Sequence, residues 1–274
     1  MKKVAVLITC FNRKTQTLAC LERLFQINNE IDVFLVDDGS IDGTTEAVSY
    51  KYPEVILISG NGNLFWNRGM HLAWQEASKN IYDYYLWLND DVTLDLNAFE
   101  ELFQCAAITE NQSIITGIIR SQDNEIIYGG TQNKKLIIPN GFLNPVENLN
   151  GNTVLVPKSV FNKIGILDPY FHHDLGDVEY GWRATMNNIK VLTSRVSIGF
   201  GIKNDICRVR KNNISINNRM KFLYSPLGSN PFVNFYFKKK KFGFIHALFY
   251  FFFLHFINLI PDSLNFKFFG NKYQ

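Results

Sequence analysis

The sequence predicts an α/β fold: a mostly parallel, Rossmann-like sheet with helices on both faces, followed by an aromatic and basic helical tail. Three observations lead there. Short β-branched apolar runs alternate with amphipathic segments over the first 120 residues, as parallel strands joined by crossover helices do. Polar clusters close those runs, at the edge where such sheets bind ligands. Phenylalanine crowds the far end, where thirteen of the 24 lie in residues 225–274 beside six Lys and one Asp.

Each element follows from local pattern. Residues 4–9 are a short apolar run that reads as a strand buried on both faces. Residues 13–28 place Leu18, Leu21, Leu24 and Phe25 at helical spacing. A second strand, 31–36, ends on Asp37-Asp38-Gly39-Ser40, and a short helix is expected over 44–51. A third strand, 55–58, ends on Gly60-Asn61-Gly62-Asn63, with a helix over about 65–79. A fourth strand, 84–88, ends on Asn89-Asp90-Asp91. Residues 97–108 return to a helix with Asn97 as its cap and Glu100 three residues on, a capping-box pattern, and 114–119 form a fifth strand. Beyond residue 120, Gly129-Gly130, Pro139, Gly141 and Pro145 punctuate short pieces and predict antiparallel elaboration. A strand over 151–156 and a helix over 158–164 precede the dense stretch LDPYFHHDLGDVEYGWRA, residues 167–184.

Composition bounds the function. With 274 residues, 46% of them apolar, the chain has a full core and global disorder is excluded. Basic and acidic residues number 28 and 25, which gives no electrostatic case for nucleic acid as a partner. The +3 average splits into a near-neutral body and a basic tail. Cys10, Cys20, Cys105 and Cys207 have no metal-site spacing and read as reduced and structural. The N-terminal apolar run is too short for a signal peptide, so a cytoplasmic location is expected. The turn after the first strand, TCFNR, has no glycine, which excludes a dinucleotide fingerprint and a phosphate-binding P-loop.

The clusters carry the candidate chemistry. The adjacent carboxylates of Asp90 and Asp91 require solvent, a cation or a partner, and suit Mg²⁺ or Mn²⁺ held partly by substrate phosphates; a helix-capping turn is the alternative. Asp37-Asp38-Gly39-Ser40 on its own reads first as a turn, with Gly39 and Gly43 supplying the geometry and Ser40, Asp42 and Thr44 able to cap, and a ligand loop is the alternative. Asp174, Asp177 and Glu179 lie close to Trp182-Arg183. If a helix starts near Asp177, a carboxylate at its positive end can act as a general base towards a hydroxyl, and a cap with an ion pair to Arg183 is the alternative.

In this order and at these distances, VAVLITCFNR, LVDDGSIDGT, LWLNDDV and FNKIGILDPYFHHDLGDVEYGWR resemble the family 2 glycosyltransferases of the GT-A fold, over roughly residues 3–200. The resemblance implies an inverting, metal-dependent transfer of a hexosyl or deoxyhexosyl group from a UDP- or dTDP-linked sugar to a glycan or lipid-linked acceptor, of the kind that builds bacterial capsule, O-antigen or other surface glycans. It implies that Thr9 and Asp38 meet the nucleotide base with Asp37 nearby, and that Asn12, Arg13, Asn63 and Arg68 complete the nucleotide site. Asp91 would hold Mn²⁺ or Mg²⁺, Asp90 would serve the ribose or the ion, Asp177 would be the catalytic base and Glu179 its neighbouring acid. Three departures from the family pattern stand out. Asn89 replaces a common Asp, Arg68 is displaced by two positions from the usual Arg-Asn-x-Gly, and residues 197–201 lack the metal-binding His of many members. The diphosphate and water would then complete the metal shell, or His172 or His173 would take part.

The expected organisation is a catalytic domain over 1–224, with a nucleotide-binding half at 1–120 and an acceptor-binding half at 121–224, and a membrane-associating tail at 225–274. In that tail Lys238–Lys241 precede FIHALFYFFFLHFINLI, residues 244–260. Seventeen helical residues span about 26 Å, marginal for crossing a hydrocarbon core near 30 Å. The run reads as an interfacial anchor on the inner face of the cell membrane, as a spanning or re-entrant segment, or as a core or oligomer helix. A sugar-phosphate nucleotidyltransferase and a catalytically silent membrane-bound scaffold are the competing functions. The first lacks the basic glycine-rich loop after the first strand, and the second sits poorly with the retained Asp38, Asp91 and Asp177.

Overall fold

The apolar runs pair as strands of one sheet in a computed structural model that describes residues 2–204 and 207–273. In chain order the elements are β1 (Val4–Cys10), α1 (Lys14–Ile27), β2 (Asp32–Asp37), α2 (Thr44–Lys51), β3 (Ile56–Ser59), α3 (Phe65–Ala77), β4 (Tyr84–Leu88), β5 (Thr93–Leu94), α4 (Ala98–Ile108), β6 (Ile114–Arg120), β7 (Ile126–Tyr128), β8 (Gly130–Gln132), β9 (Lys135–Leu136), β10 (Asn148–Leu149), β11 (Thr153–Pro157), α5 (Lys158–Ile164), α6 (Gly176–Met186), β12 (Val191–Phe200), α7 (Ile216–Tyr224), α8 (Pro231–Phe242), α9 (Phe244–Leu259) and α10 (Asp262–Phe269). A 3₁₀ turn, Gly270–Tyr273, follows.

Among the described residues a nine-stranded sheet runs β3-β2-β1-β4-β11-β6-β12-β5, with β7 beside β6, and β10-β8-β9 form a small second sheet. Strands β1, β2, β3, β4, β6 and β12 share one direction, as the alternating pattern predicts. The exception that matters is β11, which lies antiparallel between β4 and β6. Its entry, rather than its exit, therefore sits at the edge where β1 to β4 end.

Side chains alternate along β1 and β4 to make two core layers. Val4, Val6, Ile8, Leu86 and Leu88 pack on the α1 and α4 side. Ala5, Leu7, Tyr85 and Trp87 pack on the other, against Trp74 of α3 and Tyr180 of α6. There the rings of Trp74, Trp87 and Tyr180 meet at centroid separations of 5.2 to 5.5 Å, which pins α6 to the sheet.

One local expectation is corrected. Asn97 precedes α4 but makes no side-chain cap, because its φ of −94° and ψ of 9° lie outside the extended region a cap requires. Its backbone carbonyl accepts from Glu101 N–H instead, at 3.0 Å. Glu101, not Glu100, is the buried acid, ion-paired to Arg195 at 2.6 Å.

Contacts divide the chain into two compact units, Met1–Pro169 with Gly176–Lys203, and Tyr170–Leu175 with Asn204–Gln274. In the second unit the polar task is to satisfy the last carbonyls of α9, which have no partners within the helix. Two buried arginines do so. Arg210 donates to the Ile257 and Ile260 carbonyls, and Arg219 donates to the Asn258 and Ile260 carbonyls at 3.0 and 3.1 Å. Asp262, at the start of α10, bonds both guanidinium groups. Removing the one carboxylate between two buried cations is costly. Asp262→Ala is expected to lower the stability of the second unit by about 3 kcal/mol, read as a lower denaturation midpoint by tryptophan-independent circular dichroism, whereas an unchanged midpoint would show that the arginines are carried by the carbonyls alone.

Candidate active site

The sheet order sets the strand ends of β3, β2, β1 and β4 side by side, so the four polar clusters fall along one edge. Asn12, at a φ of 52° that Asn tolerates, binds the β1 and β2 loops together. Its N–H donates to Ser40 Oγ and its Oδ1 accepts from the Ile41 N–H, both at 2.8 Å. Thr9 lies where α3 crosses β1, and only glycine fits there. A Cβ on Gly69 would come within 2.3 Å of Thr9 Oγ1.

Asp37 and Asp38 are both buried. Asp37 accepts from Ser40 N–H at 2.9 Å and from the Thr45 hydroxyl. Asp38 accepts three backbone N–H groups, those of Gly62, Leu64 and Phe65, each at 2.9 Å, and so shapes the loop that leads into α3. Asn63 lies exposed in that loop. Arg68, on the first turns of α3, donates to the Pro169 carbonyl at 2.9 Å.

The carboxylates after β4 are differently placed. Asp90 is 3% exposed while Asp91 is 30% exposed. Arg13 bridges them, with Nη1 2.8 Å from Asp90 Oδ1 and Nη2 2.8 Å from Asp91 Oδ2. Burial pushes the Asp90 carboxyl up to about 6, against the pull of Arg13 in the other direction, and the Asp91 charge adds to the rise. Thr17 Oγ1 donates to the other Asp90 oxygen at 3.2 Å. Burial likewise pushes up the thiols of Cys10 and Cys20 beneath this loop, as expected of unreactive core cysteines.

Helix α6 begins at Gly176, which places Asp177 in its first turn. Asp177 Oδ1 accepts from the Val178 N–H at 2.8 Å, and Oδ2 from the Gly151 N–H at 3.0 Å. The antiparallel run of β11 is what brings Gly151 there, since Thr153 pairs with Leu88 and the Asn89 N–H donates to the Asn152 carbonyl at 2.9 Å. Glu179, two residues on, is fully buried and ion-paired to Arg183 at 3.1 Å. Arg183 in turn donates to the Ile164 and Ile166 carbonyls, tying α5 to α6.

The first unit thus gathers Thr9, Asn12, Arg13, Asp37, Asp38, Asp90, Asp91 and Asp177 on one sheet edge, with Glu179 turned into the core. In the second unit His172, His173 and Asp174 line a small recess with Asn230 and Asn234. Arg208 Nη2 lies 2.9 Å from His173 Nε2, and burial beside that cation pushes the imidazole down to about 4, so it is neutral near pH 7. Sequence reasoning passed over Trp66, Asn150, Gly151 and Asn152. The Asn-Gly-Asn turn at 150–152 was the available signal.

A divalent cation is implied by the sequence resemblance. Among the described residues no group of three or more His, Cys, Asp or Glu side chains could hold one by itself. The Asp91 carboxylate, partly exposed beside Asp90, nevertheless suits a hard ion that keeps several waters and takes its remaining ligands from substrate phosphates. Arg13 leaves the pair with a net charge of −1 to attract it. Asp90 is expected to titrate near pH 6, so the edge loses one negative charge between about pH 7 and 5. Arg13→Gln removes the group that favours ionisation and should move that midpoint upwards. Carboxyl ¹³C resonances followed against pH would show it, and a midpoint that falls would reverse the assigned role of Arg13.

A family model described as Glycosyl transferase family 2 matches residues 5–171. Over 186 residues the chain is 23% identical to N-acetylglucosaminyl-diphospho-decaprenol L-rhamnosyltransferase of Mycobacterium tuberculosis H37Rv, covering 56% of this chain. The match spans 60% of that relative's length. Among solved structures it is similar to the mannosyltransferase PcManGT of Pyrobaculum calidifontis in complex with GDP-Man and Mn²⁺, with a TM-score of 0.58 and 12% identity over all of this chain and 76% of that one. It is also similar to S. aureus TarS 1-349 in complex with UDP-GlcNAc, with a TM-score of 0.55 and 14% identity over 98% of this chain and 76% of that one. At such identities the likeness shows the fold, which is of the GT-A type.

Proposed function

The chain belongs to glycosyl transferase family 2, and from that premise we propose that it is an inverting enzyme that moves a sugar from a nucleoside diphosphate donor to an acceptor hydroxyl. The observation that carries this reading is Asp177. Its carboxylate stands at the positive end of α6, braced by the Gly151 N–H, on the sheet edge that also holds Asp38 and Asp91. One oxygen accepts the Val178 N–H and the other the Gly151 N–H, which together fix the orientation of the carboxylate on that edge.

The steps follow from those groups. Asp177 takes the proton of the acceptor hydroxyl as the oxygen attacks the anomeric carbon. The new C–O bond forms as the bond to the diphosphate breaks on the opposite face, so the anomeric configuration inverts. The leaving group departs as the nucleoside diphosphate. Arg13 stands at the Asp90–Asp91 pair, where the diphosphate charge would develop. A divalent ion held by Asp91, with Asp90 behind it, would supply further charge neutralisation to that leaving group. Thr9, Asn12, Asp37, Asp38, Asn63 and Arg68 would line the nucleotide side. Glu179, paired to Arg183, would act by holding α6 rather than by touching substrate.

The donor is assigned as a UDP- or dTDP-linked hexose or deoxyhexose, and the acceptor as a glycan or lipid-linked intermediate of surface glycan assembly. The relative named as a decaprenol-linked rhamnosyltransferase and the neighbour bound to UDP-GlcNAc support that class. Asp177→Asn is expected to lower kcat by at least about a thousandfold while leaving the thermal shift given by the nucleoside diphosphate intact. Full activity in that variant would remove Asp177 as the base.

The same reading includes peripheral attachment to the cytoplasmic membrane face through the tail. Among the described residues no helix is long and apolar enough to cross a membrane. Helix α9 has 16 residues, about 24 Å. One stripe of it is buried through Ala247, Leu254, Ile257 and Asn258, and the opposite stripe is bare and apolar. Ile245 and Phe249 are 81% and 80% exposed and Phe252 is 62% exposed, with Phe256 and Leu259 continuing the line. Lys239–Lys241 close α8 immediately before it. An apolar stripe flanked by lysines suits an anionic bilayer surface, where each lysine adds on the order of 1 kcal/mol. The variant Phe249→Ser/Phe252→Ser should lose at least about tenfold in partition to vesicles containing phosphatidylglycerol. Binding equal to that of the parent chain would exclude α9 as the anchor, and loss of self-association instead would make the stripe a subunit contact.

A further inference from the structure

Asn89 opens the Asn89-Asp90-Asp91 triplet, and the proposed chemistry leaves it without a task. Its surroundings supply one. The indole Nε1 of Trp66 is a donor only, and it lies 2.7 Å from Asn89 Oδ1. That contact fixes which end of the Asn89 amide is oxygen. The Nδ2 end then donates to Asn152 Oδ1. Asn152 Nδ2 donates onward to Asn150 Oδ1 at 2.7 Å, and the same oxygen accepts the Asn152 backbone N–H at 3.2 Å. Every donor in the chain points the same way, from Trp66 to Asn150.

This chain surrounds Gly151, whose N–H holds Asp177 Oδ2. The Trp66 ring also packs directly on Gly151, since a Cβ there would lie 2.5 Å from a ring carbon and 3.3 Å from Asp177 Cβ. Trp66 therefore fixes the 150–152 loop twice, by its ring and through the amide of Asn89.

We infer that Asn89 is a positioning residue for the base: through the amide chain it sets the loop whose Gly151 N–H orients Asp177. This rests on Asp177 being the base. The inference explains why an amide, and not a carboxylate, stands at this position. A carboxylate would accept from Trp66 but could not donate to Asn152. Two oxygens would then face each other unless Asn152 turned over. That turn would set its own oxygen against Asn150 Oδ1, and a turn of Asn150 in answer would remove the acceptor of the Asn152 backbone N–H. The mismatch cannot be absorbed without loosening the loop, and small misplacements of a reacting group are costly in rate.

The test uses the full chain and compares Asn89→Asp, Asn152→Ala, their double variant, Trp66→Phe and, as reference, Asp177→Asn. Asn89→Asp and Asn152→Ala are expected to lower kcat about tenfold each, with donor KM and the thermal shift given by the nucleoside diphosphate within about twofold of the parent. The double variant should be no worse than the weaker single, because both break one chain. Trp66→Phe removes the N–H together with the outer ring carbons that touch Gly151, so it should lose kcat by at least a few-fold. A parent-like kcat in Asn152→Ala and Trp66→Phe overturns the inference, as does a fully additive double variant. A donor KM that rises in step with the fall in kcat overturns it too, by making Asn89 a donor contact. If Asp177→Asn keeps its activity, the assignment of the base fails. If that variant is dead while Asn152→Ala runs at the parent rate, the relay alone fails.

Discussion

A carboxylate at the end of an apolar strand has to be neutralised where water cannot reach it, and the edge of this sheet is arranged around that requirement. Asp90 lies two residues beyond the end of β4 and is almost wholly enclosed. Arg13 comes to it from the turn after β1, the neighbouring strand. Parallel pairing of β1 with β4 is what makes the reach short, because both strands end at the same edge. The guanidinium then has a second arm for Asp91, which is partly exposed. One buried charge thus fixes the geometry of an exposed one, and the exposed one is where a cation can be met.

How much of this could be read from the sequence depends on the range of the interaction. Helices α2 and α5 and strand β4 fall on the expected residues, the helices beginning just after Gly43 and Pro157 and the strand being an unbroken apolar run that stops at Asn89. Asn97 departs from the expected cap, and the buried acid of that turn is Glu101, whose partner Arg195 lies far along the chain. The four polar clusters were legible as one edge because strand direction follows from alternation. The position of β11 was not. A five-residue apolar strand carries no mark of the neighbours it will lie between, and it is the insertion of β11 between β4 and β6 that carries Gly151 to Asp177.

The tail shows the same division. Its aromatic and basic composition sets it apart from the body of the chain. Asn258 faces inward, donating to the Val209 carbonyl at 3.0 Å, and His255 meets the Tyr224 hydroxyl at 2.7 Å. Nothing local announced that Arg210 and Arg219 would be spent inside the protein on the end of α9. Arginines in a basic region read as surface charge. Here they close a helix whose other stripe has no polar group to offer.

Acidic residues that look alike in the sequence separate once their lone pairs are counted. Asp38 Oδ2 already accepts two N–H groups and Oδ1 one, so a single acceptor position remains on a buried side chain. Asp37 accepts one donor on each oxygen and is equally buried. Their first work is to hold the loops that frame the edge. Asp91 gives one oxygen to Arg13 and is the more open, so it has the most capacity for a cation. Asp177 accepts the Val178 N–H on one oxygen and the Gly151 N–H on the other, which ties it to the first turn of α6 and to the loop before β11. Glu179 is enclosed and committed to Arg183. The two acids that the proposed reaction uses stand apart by position: Asp91 is partly exposed after β4, and Asp177 lies in the first turn of α6. In the proposed displacement the first serves, through a cation, the charge on the leaving diphosphate and the second the proton of the incoming hydroxyl, on opposite sides of the reacting carbon.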